Sequence, residues 1–428
     1  MRPKNILVIT YWSYRDALIQ TYTVPYLKII RKYLPEGSRL FLTTLEQSHL
    51  RMTDEERAAT DEALAKEGTH LVSFSYSKFG LAAMLKWLLF LWRLFRLCRR
   101  ERITHIHAWC TPGGAIGYIL SRLTGLPLVV DSYEPHAEAM VENGAWAKGG
   151  LAFRILFFFE KLQSKRAAFI IATTSGMKAY AAEKYGAALK RFYVKPACVD
   201  LAMFSAEDRK DPALLEQYGL AGKLVCVYAG KIGGIYLERE IFDFFAVASR
   251  YWGERFRVLM LTDASPERVR ELAAASGLDA SVVTSVFVAH SDVPRHMGLG
   301  DFSINPVKPV PTKRFCTSIK DGEYWAMGLP VVIPPRISDD SEIIAERGIG
   351  SVLTELSPAG YLKSVKEIDA LLSGYSCAEL YDKVRRVAVE YRNFSIADDI
   401  YRDIYDSPDA RPDAKQIQTG MDRIKSKA

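Results

Sequence analysis

A chain of 428 residues is too long for one ordinary hydrophobic core, so two domains of roughly 200 residues each are the natural expectation. Hydrophobic residues make up 49% and charged residues 25%, an ordinary globular composition, and the net charge of +7 points to an anionic partner without choosing among nucleic acid, membrane and nucleotide. The six cysteines (Cys98, Cys110, Cys198, Cys226, Cys316 and Cys377) form no CxxC pair and no Cys/His cluster at zinc spacing, which favours a reduced cytoplasmic protein without a structural metal.

From the N-terminus, "MRPKNILVITYW" carries a short basic flank but only about five apolar residues before Thr10, too few for a signal-peptide core. It reads as a first buried strand. "THIHAW", "PLVVD", "FIIATT" and "RFYVKPA" continue the series in the first half; "KLVCVYAG", "FRVLMLTD", "VVTSVFVA", "FSINPV" and "PVVIP" form a second. Short apolar runs separated by helical patterns predict parallel sheets covered on both faces, hence an α/β protein of two doubly wound, Rossmann-like domains facing across a cleft. The polar, breaker-rich "SAEDRKDPA" puts the break near Phe204 to Leu214. The expected domains are 1–205 and 206–385, then a helix in 386–406 returning to the N-terminal domain, then a polar tail over 407–428. "NFSIADDIYRDIYDS" sets Ile396, Ile400 and Ile404 on one helical face for that return.

The segment Leu81 to Arg100, "LAAMLKWLLFLWRLFRLCRR", predicts a helix with one basic stripe of Lys86, Arg93, Arg96 and Arg100 and two tryptophans, Trp87 and Trp92. Three charges within the apolar run argue against a spanning helix. Two readings stand: a helix packed on the sheet with a solvated stripe, or an in-plane contact with an anionic membrane. "LAFRILFFFEKL" from Leu151 adds weight to the membrane side, although a core helix also accommodates three phenylalanines.

"LVCVYAGKIGGIYLEREIF" runs from a strand into Gly230, Lys231, Gly233 and Gly234 and then a helix from about Leu237. Glycines let main-chain amides approach an anion, and Lys231 adds a full charge. The pattern suits a phosphate, but it is neither GxGxxG nor a Walker loop, and a turn that only lets the helix pack closely is the other reading. In "SIKDGEYWAMGLPVVI", Lys320 and Glu323 precede an apolar turn, a glycine and a strand. Placed at the mouth of the sheet, Lys320 faces a phosphate and Glu323 accepts two hydrogen bonds from a ribose diol. A local ion pair is the alternative. His105 and His107 alternate in "THIHAW" with no third ligand nearby, so no metal site is expected.

"SIKDGEYWAMGLPVV" resembles the donor-site motif of the GT-B retaining glycosyltransferases of the family 4 (group 1) type. "VYAGKIGG" looks like that family's first strand and phosphate loop, and "FYVKPACVDLAMF" like its segment before the linker. The resemblance implies that Glu323 binds the donor ribose and that Lys231 stands where a phosphate-binding Arg is usual. Two positions depart from the pattern. Phe315, eight residues before Glu323, replaces the first glutamate, and Tyr236, five residues after Lys231, replaces a second basic residue whose charge Lys320 supplies instead.

The resemblance also implies a cleft-side histidine, here His136, with Glu134 orienting it or meeting the acceptor; a surface His paired to its neighbour is the other reading. Backbone groups from Val288 to His290 would meet the nucleobase, leaving the base unread. Trp12, Tyr14 and Arg15, after the first strand, suit a sugar or lipid-diphosphate acceptor as well as ordinary packing.

For activity, the resemblance implies retaining transfer of a sugar from a nucleotide diphosphate donor, with no cofactor and no metal, to a glycan or lipid-linked acceptor in cell-surface polysaccharide biosynthesis. Lys231, Lys320, His136 and Glu134 are the candidate catalytic groups. The expected setting is the cytoplasm at the inner face of the membrane, with no nucleic acid partner. The alternatives are a silent GT-B assembly subunit and a nucleotide-sugar epimerase, the latter needing acid and base carboxylates that the motifs do not provide.

Overall fold

The computed structural model describes residues 2–16, 18–76 and 81–406, and its chain divides into two compact units. Unit 1 comprises Met1–Lys195 and Ser395–Ala428; unit 2 is Pro196–Phe394.

Unit 1 holds strands β1 (Asn5–Ile9), β2 (Leu40–Glu46), β3 (Thr69–Ser75), β4 (Ile103–Trp109), β5 (Leu128–Tyr133), β6 (Phe169–Ala172) and β7 (Phe192–Val194) in the order β3-β2-β1-β4-β5-β6-β7. Every pairing is parallel. The runs that read as continuous apolar strands are buried on both faces, as β5 is along its whole length. From β1 the order runs outward in both directions, so the right-handed crossover rule puts the helices following β1 and β2 on one face and those following β3, β4 and β5 on the other.

Unit 2 repeats the plan with β8 (Leu224–Ala229), β9 (Phe256–Leu261), β10 (Val283–Val286), β11 (Phe302–Ile304), β12 (Val331–Ile333) and β13 (Gly350–Val352), ordered β10-β9-β8-β11-β12-β13 and again all parallel. The switch point lies at β8, whose carboxyl end is where such sheets bind ligands. Strands β2, β3 and β13 are not among the apolar runs legible in the sequence.

The division differs from the sequence expectation. The chain passes into unit 2 at Lys195/Pro196, ahead of "SAEDRKDPA", because that stretch is pinned to unit 2: Arg209 donates to the carbonyls of Met327 and Gly300, and Lys210 pairs with Asp301 at 2.8 Å. The helix Cys377–Tyr391 stays with unit 2, and only Ser395–Tyr405 belongs to unit 1, where Ile400, Tyr401, Ile404 and Tyr405 are buried. Within unit 2 the two ends of the insertion lie side by side. Val199 donates its amide to the Arg392 carbonyl at 2.8 Å, and the Arg392 guanidinium reaches the Ala197 carbonyl at 3.2 Å. The polar tail expected from Ser407 lies outside the described residues.

Candidate functional site

In unit 2 the site begins where β8 ends. Gly230 has φ +150°, and a Cβ there would lie 2.4 Å from Cε of Lys320, so only glycine lets the lysine stem cross the strand end. Lys320 Nζ donates to the Tyr236 hydroxyl at 2.7 Å and stands 4.4 Å from the centre of that ring. Tyr236 is itself held by a bridge to Val307 and by its amide on the Gly233 carbonyl at 3.1 Å.

The loop between is fastened from below. Tyr228 donates its hydroxyl to the Lys231 carbonyl, and Lys308 Nζ reaches the Gly234 carbonyl at 2.7 Å. These bonds leave the Lys231 side chain exposed and without an ion-pair partner among the described residues. Gly233 and Gly234 sit at φ +78° and +64°, and their amides donate to no backbone carbonyl among the described residues. A turn of this shape with unbonded amides beside a lysine has the chemistry that anion binding requires. The helix after it runs Arg239–Trp252, starting two residues later than expected because Leu237 gives its amide to the Pro306 carbonyl at 2.7 Å.

The motif "IKDGEYWA" is the helix Ile319–Ala326, and its periodicity sorts its charges. Asp321, Tyr324 and Trp325 are buried, while Lys320 and Glu323 are only partly so. Tyr324 accepts the Ala229 amide at 2.8 Å, which ties the helix to the end of β8. Asp321 accepts both bonds of the Asn305 amide, at 2.8 and 2.7 Å, and burial beside Asp340 holds its carboxyl well above the usual range, with Arg392 opposing. The Glu323 carboxylate has no hydrogen-bond partner among the described residues. Burial pushes its pKa up to about 7, against the pull of Lys320.

Val288 is half-buried, and His290 is exposed at the start of the short turn His290–Asp292. Next to them, at the carboxyl ends of β9 and β10, lies a cleft of about 400 Å³ lined by Thr262 to Pro266 and by Ser285 to Phe287. The Phe287 ring, 76% exposed, offers an open aromatic face at its edge.

In unit 1, Glu134 and His136 meet at 3.1 Å, and His136 opens the helix His136–Glu142. Under this turn lies Glu160, fully buried, which accepts bonds from the Ala137 amide at 2.9 Å, Thr111 Oγ1 at 3.1 Å and the Tyr185 hydroxyl at 2.9 Å. Burial raises its pKa to about 7, while these donors and His136 pull the other way. Cys110 and Ser132, at the carboxyl ends of β4 and β5, adopt φ +56° and +51°, a costly conformation for non-glycine residues that clusters at working sites.

Deeper in unit 1, Asp131 and Lys195, both wholly buried, pair at 3.2 Å. The Lys195 ammonium lies 3.5 Å from the Tyr26 ring centre, with Tyr22, Trp109 and Tyr401 around it. Tyr401 donates to Asp131 at 2.6 Å, and His107 bonds Tyr405 at 2.7 Å and faces Asp131 at 3.3 Å. Burial alone would raise the Asp131 pKa, but Lys195 and His107 hold it at about 2. Among the described residues no group of three or more His, Cys, Asp or Glu gathers as metal ligands would.

Of the first loop, Trp12 and Tyr14 are half-buried and pinned through their backbone, by Leu45 on the Trp12 carbonyl at 3.1 Å and by Tyr14 on Glu46 at 3.2 Å. Arg15 is exposed and paired with Glu56 at 2.7 Å. On the helix Leu81–Arg100, Trp87 packs edge-on against Phe90, whereas Trp92, Arg93 and Arg96 are exposed, with the Arg96 guanidinium 4.7 Å over the Trp92 ring. The sequence motifs single out neither Tyr228, Tyr324 and Lys308 nor the Asp131–Lys195 and Glu160 clusters, all of which act through packing partners distant in the chain.

A family model described as a glycosyl transferase 4-like domain matches residues 42–197. Among solved structures, HepE of Anabaena in complex with UDP aligns at TM-score 0.68 and 14% identity, over 94% of this chain and 99% of that one. A glycosyltransferase of Rickettsia africae aligns at TM-score 0.67 and 14% identity, and WaaG, described as a glycosyltransferase involved in lipopolysaccharide biosynthesis, at 0.63 and 14%; each covers 94% of this chain and 99% of the other. No curated protein sequence matches. The chain therefore has the GT-B fold of glycosyltransferases, and the resemblance read from its motifs agrees with both findings. The matched stretch lies almost wholly in unit 1.

Proposed function

We propose that this protein is a retaining glycosyltransferase that moves a sugar from a nucleotide diphosphate donor to a glycan or lipid-linked glycan in the building of a cell-surface polysaccharide. The observation that carries this reading is the grouping at the end of β8: Lys320 anchored on Tyr236 and, among the described residues, a Lys231 without an ion-pair partner, two glycine amides without a backbone acceptor, and a carboxylate, Glu323, without a hydrogen-bond partner. Two lysines and two amides match a diphosphate, and an acceptor-only carboxylate one helical turn from Lys320 matches a ribose diol.

In the reaction the bond from the anomeric carbon to the diphosphate oxygen breaks, and the diphosphate leaves with the bonding electron pair. Lys231, Lys320 and the Gly233 and Gly234 amides neutralise the charge as it grows. Removing one such donor typically costs a hundredfold or more in rate. The acceptor oxygen bonds to the same face of the carbon and gives its proton to the departing phosphate. This arrangement needs no metal. His136, oriented by Glu134, binds a sugar hydroxyl, and Trp12, Tyr14 and Arg15 form part of the acceptor's surroundings. The cleft ending at Phe287 suits the nucleobase. Uracil is the first base to try, since HepE was solved with UDP and UDP-glucose. The protein works in the cytoplasm, peripherally at the inner face of the membrane.

The test is thermal unfolding of the purified protein with UDP, GDP, ADP, TDP and CMP. A nucleotide present at a hundred times its dissociation constant adds about 2.7 kcal/mol to the folded state. A shift with one diphosphate, abolished in Glu323→Ala, supports the reading; no shift with any of them moves it to a silent assembly subunit.

A further inference from the structure

Helix Leu81–Arg100 does not bury its apolar surface on one side only. Phe90, Leu94 and Leu97 pack inward, but Leu85, Leu88, Leu89 and Trp92 form a second apolar stripe at helical spacing that is open to solvent. Leu85 is 66% exposed and Trp92 52%. Helix Leu151–Arg166 does the same: Leu156 and Gln163 face inward, and Leu151, Ile155 and Phe158 point outward, with Leu151 at 75% and Phe158 at 56%. Isolated exposed leucines need no explanation, but two stripes of large side chains on helices of one face do.

The two helices flank a third, Cys110–Thr124, which packs against both. Its Gly114 is where helix Leu151–Arg166 comes closest: a Cβ there would lie 1.6 Å from the Gln163 Oε1 atom. Leu123, in the last turn of this middle helix, is also exposed.

Charge selects the occupant. Helix Leu81–Arg100 contains no acidic residue, and the one acid of Leu151–Arg166 is the buried Glu160. Every exposed charge on the two is positive: Lys86, Arg93, Arg96, Arg99 and Arg100 on the first, and Arg154, Lys161, Lys165 and Arg166 on the second. No helix among the described residues is long and apolar enough to cross a membrane. An apolar stripe with a tryptophan and cationic flanks is what lies in the plane of a bilayer interface, its large side chains among the upper acyl chains and its cations among anionic headgroups.

We propose that this three-helix face of unit 1 docks on an anionic lipid surface, with helices Leu81–Arg100 and Leu151–Arg166 as two separate anchors. The proposal deepens the peripheral-membrane part of the proposed function and is independent of its chemistry.

The test is flotation of the full-length protein with vesicles of phosphatidylcholine alone and of phosphatidylcholine mixed with phosphatidylglycerol. The wild type floats with the anionic vesicles, less so as salt rises, and stays down with phosphatidylcholine alone. Arg93→Ser with Arg96→Ser lowers the partition roughly thirtyfold, and Leu88→Ser with Trp92→Ser at least about tenfold. Phe158→Ser, on the other anchor, lowers it as well. All these positions are solvent-facing, and unchanged melting curves verify that the variants fold. Absence of flotation with anionic vesicles overturns the proposal, as does equal binding to phosphatidylcholine. So does light scattering that finds a dimer dissociated by Leu88→Ser with Trp92→Ser, which would make the occupant a second copy of the chain. The nucleotide shift, measured on the same samples, separates the two readings: flotation without a shift keeps the docking face and removes the donor site, and a shift without flotation does the reverse.

Discussion

Lys320 and Tyr236 are joined twice, by the ammonium-to-hydroxyl hydrogen bond at 2.7 Å and by the ammonium 4.4 Å from the ring centre. Tyr236 stands where the resemblance leads one to expect a second basic residue, so the aromatic ring replaces a charge by aiming one. Tyr236→Phe keeps the ring and loses the aim: kcat/KM falls about tenfold, against about a hundredfold for Lys320→Met. Because the two act as a unit, the double variant is hardly worse than Lys320→Met alone, and fully additive losses in steady-state kinetics would disprove the pairing.

Glu323→Gln separates stability from activity. The folded-state pKa of about 7 exceeds the ordinary value of 4.5, so this carboxyl favours the folded state below pH 4.5 and that contribution is lost as pH rises through 7. Glutamine mimics the protonated form. The variant is therefore expected to equal the wild type near pH 4 and to exceed it by about 3 kcal/mol at pH 8, in denaturant titrations at both values. Turnover falls with it, since the amide presents only one acceptor oxygen to the diol. In the wild type the donor KM rises as pH falls below 7.

Asp131→Asn leaves Lys195 buried without its counter-ion, and a loss of about 3–5 kcal/mol is expected. The sign of the pH dependence follows from the depressed folded-state value of about 2 against 3.8: this stabilisation is present above 3.8 and disappears as pH falls through 2. The deficit of Asp131→Asn is accordingly largest at neutral pH and shrinks on acidification. Asp131→Asn combined with Lys195→Met recovers part of it, which equilibrium unfolding of the double-mutant cycle measures.

Gly230→Ala adds one methyl where Lys320 Cε already lies. The lysine must leave the strand end, and nucleotide diphosphate affinity is expected to fall about tenfold in calorimetric titration, with less effect on folding than on binding. Gly277→Ala is the control, a glycine with φ +66° and open space around it, where only the backbone penalty of about 1 kcal/mol applies. Equal loss of affinity in both variants would mean that Lys320 is not the group displaced.

Strands buried on both faces are plain in the sequence because they read as unbroken apolar runs, β8 and β5 among them. Strands β2 and β3 are not, since "LFLTTLE" and "THLVSFS" mix hydroxyl residues into the run, and the three residues of β13 are too few to give a pattern. Lys320, Glu323 and the glycine loop are legible because their spacing is local. The domain boundary is misplaced by composition because polar residues mark exposure, and "SAEDRKDPA" is bonded to unit 2 in spite of its polarity. Lys195 and Asp131 lie 64 positions apart, and Lys195 looks like a strand-end residue of "RFYVKPA"; nothing in a linear pattern announces a lysine enclosed by four aromatic rings. Glu160 is hidden in the same way, as an acid within "FFFEKL".

The insertion of unit 2 within unit 1 sets an order on synthesis. Tyr401 and Tyr405, which close over Asp131 and His107, are made only after the whole of unit 2, so the sheet of unit 1 leaves the ribosome with its buried ion pair uncovered. Unit 2 is contiguous and carries its own clasp between Val199 and Arg392, so it can complete its core first although it is encoded second. A chain that terminates shortly before Ser395 thus yields a finished unit 2 attached to an unsealed unit 1. Translation has to pass through the whole of unit 2 before unit 1 can lock.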